Sequence, residues 1–276
     1  MTEPLTGVSR TALWVAYLRA QESEAPEPLF HDPYARRFLE AAPGWPPAVD
    51  ADGAVAAAGN AFAWQTAVRT RFFDEALLAV AHGGCRQIVL LAAGLDTRAF
   101  RLEWPAGTRL FEVDMSTVVD FKEAVLARHG ATPRCHRVVV PADLRDAWPQ
   151  RLAEAGFDAG DRAAWLMEGL LVYLTAPEAA RLLTDVTAAA APGSHLFVEH
   201  GGIDPRAIDP NVWLVPAVRE VVNLWRGGLG ERTPGWLAER GWRVRTHDLD
   251  VVAAAYQRPA PVAVIGGFAT AVRTEG

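Results

Sequence analysis

The sequence predicts an α/β fold in which helices cover both faces of a doubly wound, mostly parallel sheet. The first observation is an unbroken apolar run at residues 88–93, which is typical of a strand buried on both faces. The second is the regular alternation of apolar runs with helical segments after this strand. The third is the acidic residue that follows several of these strands, because α/β proteins bind ligands at the carboxyl ends of their strands.

The N-terminal residues 1–81 predict a helical cap that precedes the sheet. Helices are expected within 9–42 and over 62–81, where apolar side chains recur at helical spacing. Two prolines interrupt the first of these segments, and Asp32 can cap the helix that follows them. Residues 43–59 are rich in Pro, Gly and Ala, so we expect a loop or a mobile lid there.

Strands and helices then alternate through a core of residues 82–276. The predicted strands are residues 88–93, 109–113, 137–140, 163–167, 195–199, 242–246 and 262–272. The predicted helices between them are residues 117–128, 149–155, 177–190 and 234–240. Residues 201–232 break the alternation, so they predict an insertion after the fifth strand, on the ligand side of the sheet. We expect cap and core to form one domain over residues 1–276.

Composition excludes several classes of protein. The 276 residues carry a net charge of −6 without a basic stripe, which disfavours a nucleic-acid partner. We find no apolar run long enough to predict a membrane span and no pattern of a signal peptide. Cys85 and Cys135 border predicted strands, so we expect buried free thiols in a cytoplasmic protein. The expected oligomeric state is a monomer or a homodimer.

Acidic residues stand at four successive strand ends: Asp96, Asp114, Asp143 and Glu168. Asp114 follows the glycine turn by roughly 20 residues, where a carboxylate can accept hydrogen bonds from two ribose hydroxyls. Asp143 can accept from the exocyclic amine of adenine while Leu144 packs against the ring. Each acid by itself is also consistent with a solvated loop or a helix cap. Four in succession favour a nucleoside site.

The turn after the first strand indicates a cofactor without phosphates. It reads Ala-Ala-Gly-Leu-Asp-Thr from Ala92, and it lacks the second and third glycines of a G-x-G-x-x-G loop. The carboxylate of Asp96 would also repel a pyrophosphate. S-adenosylmethionine, a nucleoside that carries an amino acid, fits this turn better than a dinucleotide does.

Two arginines lie on the helix before the first strand. Arg69 can hold the carboxylate of such a cofactor. Arg71 is spaced i, i+3 and i, i+4 from Asp74 and Glu75, so a surface ion pair explains it better.

Five motifs occur in one order along the chain. They are residues 69–74 (Arg-Thr-Arg-Phe-Phe-Asp), 90–98 (Leu-Leu-Ala-Ala-Gly-Leu-Asp-Thr-Arg), 111–114 (Phe-Glu-Val-Asp), 141–144 (Pro-Ala-Asp-Leu) and 168–174 (Glu-Gly-Leu-Leu-Val-Tyr-Leu). With them the chain resembles the class I S-adenosylmethionine-dependent methyltransferases, and within these the leucine carboxyl methyltransferase family. The likeness is greatest to the bacterial, largely actinobacterial branch, and it covers nearly the whole chain.

The resemblance implies a Rossmann-like, seven-stranded sheet whose last two strands, within 242–256 and 262–272, pair antiparallel. It also implies a role for each matching residue: Arg69 would hold the methionine carboxylate, Ala92, Ala93 and Gly94 would line the methionine portion, Asp114 would bind the ribose, Asp143 and Leu144 would bind the adenine, and Glu168 would lie near the methionine amino group. Ala92 departs from the eukaryotic pattern, which has glycine at this position.

The choice of acceptor decides whether a general base is needed. A carboxylate is already ionised at pH 7, whereas a phenol must lose its proton during the transfer. The candidate bases are His200, which is best placed at the end of the fifth strand, then Tyr173 and His247. A bond to backbone explains His200 equally well.

The insertion supplies further candidates for the acceptor pocket. Arg206 can bind a substrate carboxylate or pair with a neighbouring aspartate, and Trp213 and Trp225 can line an aromatic pocket or belong to the core.

We therefore predict an S-adenosylmethionine-dependent O-methyltransferase that uses no metal and acts on a small molecule. The first expected acceptor is a carboxylate of a secondary metabolite, and the second is a phenolic hydroxyl. A nicotinamide-dependent oxidoreductase is the rival enzyme class, which the incomplete glycine motif disfavours. A cofactor-binding protein without catalysis remains open, because the residues with expected roles bind the cofactor.

Overall fold

The computed structural model describes residues 5, 7–42, 45, 53–203, 219 and 221–275. Its helices are α1 (Val8–Ser23), α2 (Ala35–Glu40), α3 (Gly53–His82), α4 (Arg98–Arg101), α5 (Ser116–Arg128), α6 (Trp148–Glu154), α7 (Ala176–Ala189), α8 (Thr233–Ala238) and α9 (Leu249–Ala255). Its strands are β1 (Gln87–Leu91), β2 (Arg109–Asp114), β3 (His136–Pro141), β4 (Ala163–Met167), β5 (His195–Glu199), β6 (Gly202–Ile203), β7 (Trp242–Asp248), β8 (Val264–Ile265) and β9 (Gly267–Arg273).

Seven strands form one sheet in the order β3-β2-β1-β4-β5-β9-β7. Strands β1 to β5 are parallel, and β9 runs antiparallel to both of its neighbours, β5 and β7. This confirms the predicted mostly parallel sheet with a final antiparallel pair. Strand order reverses between β1 and β4, and in such sheets the crevice at the reversal point is where ligands bind.

Alternate residues of the central strands pack on opposite faces of the sheet. In β1, Ile88 and Leu90 belong to the core beneath α1, α2, α3 and α5, whereas Val89 and Leu91 face α6 and α7. All four side chains are almost fully buried. Because both faces are covered, the strand reads as a continuous apolar run rather than as an alternating one.

The third helix begins earlier than the sequence analysis predicts. The predicted loop 43–59 is helical from Gly53 onward, and four of the five residues 54–58 are alanine, the strongest helix former. Residues 43, 44 and 46–52 of that segment, and with them most of the expected lid, lie outside the described residues. Asp32 accepts hydrogen bonds from the N–H groups of Tyr34 and Ala35, as expected of a cap.

Backbone turns also shorten one predicted strand and divide another. β1 ends at Leu91 instead of residue 93, because Ala92 turns the chain with a φ of 52°. Gly266, with a φ of 62°, divides the segment 262–272 into β8 and β9. The helix α9 replaces the second half of the segment 242–256, whose alanines favour a helix.

Both cysteines are free thiols. Cys85 is buried and Cys135 is partly buried. Burial raises the pKa of Cys85, and it raises the pKa of Cys135 to about 12, so neither forms a thiolate readily. Within the described ranges, no helix combines the length and the apolar character that a membrane crossing requires.

Candidate functional site

A cavity of about 1120 Å³ lies at the carboxyl ends of the central strands, where strand order reverses. Its walls also include side chains from α1, α3 and the segment that precedes α8. The cavity is lined by all the residues with predicted cofactor roles and by two of the candidate bases, Tyr173 and His200: Arg69, Ala92, Ala93, Gly94, Asp114, Asp143, Leu144, Glu168, Tyr173 and His200. Small-molecule sites commonly have volumes of about 300–1,000 Å³, so this cavity has room for a nucleoside and a second small molecule.

The turn after β1 forms part of the cavity wall. Ala92 and Gly94 both have positive φ angles, of 52° and 54°. A Cβ atom at Gly94 would lie 3.5 Å from the Cβ of Ala12 and 3.9 Å from the carbonyl oxygen of Ala92, which are ordinary contacts. The backbone angle rather than lack of space therefore favours glycine at this position.

Asp114 ends β2 with its carboxylate directed at this turn. Its Oδ2 accepts from the N–H of Gly94 at 2.6 Å, and its Oδ1 accepts from the N–H of Met115 at 2.7 Å. Burial raises the pKa of Asp114, and the two amides offset part of that effect. Each oxygen keeps acceptor capacity beyond these bonds, as a carboxylate that binds ribose hydroxyls requires.

Asp143 and Leu144 both line the cavity after β3. The side chain of Arg145 donates to both of its oxygens, with Nε at 2.9 Å from Oδ1 and Nη2 at 2.5 Å from Oδ2. This hydrogen bonding lowers the pKa of Asp143. A ligand amine at this position would share the carboxylate with an exposed arginine.

Glu168 follows β4 and is surrounded by arginines. Arg19 of α1 donates to its Oε1 at 2.9 Å and Arg69 of α3 at 3.1 Å, while Nη2 of Arg98 lies 2.7 Å from its Oε2. Burial opposes its ionisation, but the three guanidiniums prevail and hold the pKa of Glu168 well below its ordinary value. Glu168 therefore forms ion pairs with three arginines and also lines the cavity.

Arg69 is oriented by two carboxylates. Its Nε donates to Glu168 and its Nη1 to Oε2 of Glu199 at 3.1 Å, whereas its Nη2 has no hydrogen-bond partner among the described residues. Burial lowers the pKa of Arg69, but the two carboxylates outweigh burial and raise it, so the guanidinium stays charged. Glu199 is itself held by Nε2 of Gln65 at 2.9 Å and by the N–H of Gly169 at 3.1 Å. One edge of a fixed guanidinium is thus left for a ligand carboxylate.

The sequence analysis missed three charged residues of this site. Glu199 ends β5, so the reasoning that selected the other strand-end acids would also have found it. Arg98 lies within a quoted motif, and it pairs with Asp96 and with Asp74. Arg19 lies on α1 and reaches Glu168 across 149 residues of sequence, which no local pattern signals.

His200 lies at the end of β5 with its ring in the cavity wall. Backbone groups of Phe268 and of His200 itself lie beside the ring, so the backbone contact expected as the alternative for this histidine is present. Burial lowers the pKa of His200, which makes the imidazole neutral at pH 7. Burial also raises the pKa of Tyr173, and that phenol stays protonated.

Two other candidates, His247 and Arg71, are absent from the cavity wall, and two more lie outside the described residues. His247 is absent from the cavity wall: its Nε2 lies 3.1 Å from Oγ1 of Thr270 on the sheet. Arg71 donates to Glu75 at 2.7 Å, as expected of a surface ion pair. Arg206 and Trp213 lie outside the described residues. Across the ranges that the structure describes, no cluster of three or more histidine, cysteine or acidic side chains is arranged to hold a metal.

Comparison with known proteins extends this description. A family model described as leucine carboxyl methyltransferase matches residues 12–187. A protein of Parafrankia sp. (strain EAN1pec), provisionally named as an S-adenosyl-L-methionine-dependent methyltransferase, is 49% identical over 98% of this chain and 88% of its own length. A Mycobacterium avium (strain 104) protein with the same provisional name is 39% identical over 93% of this chain and 90% of its own length.

A solved structure also shares the fold. A crystal structure from Thermobifida fusca YX, provisionally named as a methyltransferase, superposes with a TM-score of 0.52. The superposition covers 87% of this chain and 94% of that one, with 21% sequence identity.

Proposed function

The chain belongs to the leucine carboxyl methyltransferase family and uses S-adenosylmethionine, and we propose that it transfers the methyl group to an oxygen of a small molecule. The first acceptor that we propose is a carboxylate. The observation that carries the proposal is one cavity that is lined both by charged side chains and by apolar side chains. The strand-end carboxylates and arginines form its floor, and apolar side chains from α1, α3 and the segment before α8 cover it.

The floor suits the cofactor. When bound, S-adenosylmethionine supplies a methyl group on a sulfonium sulfur. An oxygen nucleophile can bond to the methyl carbon, and the sulfur is then the leaving group. We assign the ribose hydroxyls to Asp114 and the methionine carboxylate to the open edge of Arg69. The remaining assignments are the methionine portion to Ala92, Ala93 and Gly94, the adenine to Asp143 and Leu144, and the amino group to Glu168.

The apolar cover favours a small acceptor. Trp14 and Val15 of α1, Phe62 of α3 and Val222 also line the cavity. These side chains exclude water from the reacting atoms and hold the acceptor in one orientation. Alignment of this kind can supply roughly 7–11 kcal/mol of the barrier reduction, and a nucleophile that is already ionised needs no general base. The description of the matching family model supports a carboxyl acceptor.

A hydroxyl acceptor is the second candidate, and His200 favours it. A neutral imidazole in the cavity wall can take the proton of a phenol as the new bond forms. With a carboxylate acceptor the same ring would only donate a hydrogen bond, so replacing His200 would have a small effect on the rate of methyl transfer.

The test compares two acceptors that share one skeleton, 2-naphthoate and 2-naphthol, by release of S-adenosylhomocysteine from pH 6 to 9. For carboxyl transfer we expect methyl naphthoate as the product, a pH-independent kcat, and less than a tenfold loss in His200→Gln. A base-dependent hydroxyl transfer would instead lose about 10²–10⁴-fold in this variant. His129→Gln, an exposed position at the end of α5, is the control. Methylation of 2-naphthol alone would reject the carboxyl assignment.

A further inference from the structure

The turn after β3 brings three consecutive residues to the cavity wall: Asp143, Leu144 and Arg145. The N–H of Asp146 donates to the carbonyl oxygen of Asp143 at 3.0 Å, which closes a β-turn. Arg181 of α7 donates to the carbonyl oxygen of Arg145, and Leu144 packs against the core that faces α6 and α7. These contacts fix the backbone from which the side chain of Arg145 extends.

Arg145 holds the carboxylate of Asp143 with three donors. Oδ1 of Asp143 accepts from the N–H and from Nε of Arg145, both at 2.9 Å, and Oδ2 accepts from Nη2 at 2.5 Å. Nε also lies 3.2 Å from Oδ2. A carboxylate oxygen accepts about two hydrogen bonds, so Oδ1 is fully occupied while Oδ2 keeps room for one further donor. The planar fork of the guanidinium also fixes the plane of the carboxylate.

Solvent exposure limits what this ion pair contributes to folding. The side chain of Arg145 is 65% exposed and that of Asp143 is 26% exposed. Exposed pairs contribute little to stability, because water screens the charges and two side chains lose conformational freedom. The consequence of the pair is therefore geometric: it sets the direction of the remaining acceptor position on a residue that lines the cofactor cavity.

The ionised carboxylate of Asp143 accepts hydrogen bonds and cannot donate one. Hydrogen bonding by Arg145 lowers the pKa of Asp143, so the side chain keeps this form at neutral pH. Adenine has an amino group at position 6, which donates, whereas hypoxanthine has an oxygen there, which only accepts. An acceptor position with a fixed direction therefore favours adenine and repels the oxygen of hypoxanthine.

We propose that Arg145 determines cofactor specificity, because it directs one acceptor position of Asp143 at the exocyclic amine of adenine and so disfavours a 6-oxo base. This inference rests on the assignment of adenine to Asp143 and Leu144 proposed above. Arg145 acts through Asp143, so it is a positioning residue. Without the guanidinium the carboxylate is free to rotate toward the N–H at position 1 of hypoxanthine, and the discrimination between the two bases falls.

The test compares S-adenosylhomocysteine with S-inosylhomocysteine by calorimetric titration of the full chain. The two ligands differ only in the base, so contacts with Asp114 and Arg69 cancel in the ratio of affinities. We expect the wild-type protein to prefer the adenine compound about 100-fold, and Arg145→Met to lower this preference about tenfold. Arg145→Lys keeps the charge without the fork, so it should lower the preference similarly. Arg151→Met on α6, at an exposed position absent from the cavity wall, is the matched control.

An unchanged preference in Arg145→Met overturns the inference, and so does an equal loss of affinity for both ligands, which a merely structural role would produce. A wild-type preference in Arg145→Lys overturns it as well, because charge rather than orientation would then be responsible.

Asp143→Asn tests the adenine assignment separately, since its amide has a donor as well as an acceptor. Loss of the preference in this variant supports the assignment, and an unchanged preference rejects the assignment together with the inference. A preference that depends on Asp143 and not on Arg145 rejects the inference alone. Every readout is an affinity, so these outcomes stand whether or not a carboxylate is the methyl acceptor.

Discussion

At Ala92 the backbone adopts a left-handed conformation that side chains disfavour. Its φ of 52° lies where a Cβ atom crowds the following carbonyl oxygen, at a penalty of about 1–2 kcal/mol. The residue lies directly after β1 and lines the cavity. The turn is thus held by its surroundings against a local preference, as strained residues at functional sites commonly are.

We expect Ala92→Gly to raise the free energy of unfolding by up to about 1 kcal/mol. The substitution removes the steric penalty, and the larger entropy of the unfolded glycine chain offsets part of the gain. The neighbouring Ala93→Gly, at a position without positive φ, should instead lose about 0.5–1 kcal/mol. Urea denaturation measures both, and a loss in both variants would show that Ala92 is not strained.

Asp114 is the residue on which cofactor binding depends most directly. We expect Asp114→Ala to reduce S-adenosylmethionine affinity at least about 100-fold, because charge-assisted hydrogen bonds to two hydroxyls are lost. The exposed Asp120→Ala on α5 should bind normally. Calorimetry with S-adenosylmethionine, its demethylated product and NADH measures the affinities, and circular dichroism checks the fold. Unchanged affinity in Asp114→Ala would reject the ribose assignment.

Among the elements, α7 has a complete capping box. Oγ1 of Thr175 accepts from the N–H of Glu178, and the Glu178 carboxylate accepts from the N–H of Thr175 at 2.7 Å. Four apolar side chains of this helix are buried against β4 and its neighbours: Ala179, Leu182, Leu183 and Val186. The cap therefore sets where α7 begins, directly after the loop that carries Tyr173.

Thr175→Ala should lower the free energy of unfolding by about 1 kcal/mol, because one backbone N–H of the first turn loses its partner. The control is Thr184→Ala on the same helix, where the exposed hydroxyl only bonds back to the carbonyl oxygen of Ala180 at 2.8 Å. Chemical denaturation of both variants gives the comparison. Equal stability of the two would mean that the cap does not stabilise α7.

Across the whole molecule, a buried ion-pair network joins the helical cap to the sheet. Arg19 of α1, Arg69 of α3 and Arg98 of α4 meet Glu168 after β4, and Arg69 also meets Glu199 of β5. Each guanidinium would be unfavourable in the interior without its carboxylate. The network therefore depends on cap and sheet packing together.

Stability should depend on pH through histidines before it depends on these carboxylates. Burial lowers the pKa of His195, His200 and His247, so below about pH 6.5 the unfolded chain binds protons that the folded chain does not. The free energy of unfolding thus falls as the pH drops through that value toward the lower folded pKa values. Thermal unfolding from pH 8 to 5 should show this decline, with a shallower slope in His200→Gln. A midpoint that rises on acidification would contradict it.

Glu168 and Asp96 act in a lower pH window. Their pKa values are lowered in the folded protein, so the stability they contribute is complete above the unfolded values and is lost as the pH falls toward the folded ones. A second decline should therefore begin only below about pH 4.5.

The sequence by itself determined the α/β class, the central strands and the strand-end acids. Apolar runs and turn residues are local signals, and parallel strands bring their carboxyl ends to one edge whatever the loops do. Its five ordered motifs also determined the family and the cofactor, both of which the comparisons confirm.

Only the tertiary structure decided how the charged side chains pair and which candidates reach the cavity. His247 faces Thr270 instead of the site, Arg19 reaches Glu168 from a helix far away in sequence, and Trp225 lines the cavity from a segment that is hydrogen-bonded to the loop after β4. The helical start at Gly53 was missed because a glycine-containing, alanine-rich segment is compatible with loop and helix alike. Side-chain partners depend on how helices pack on the sheet, and residues far apart in sequence carry no local signal of that packing.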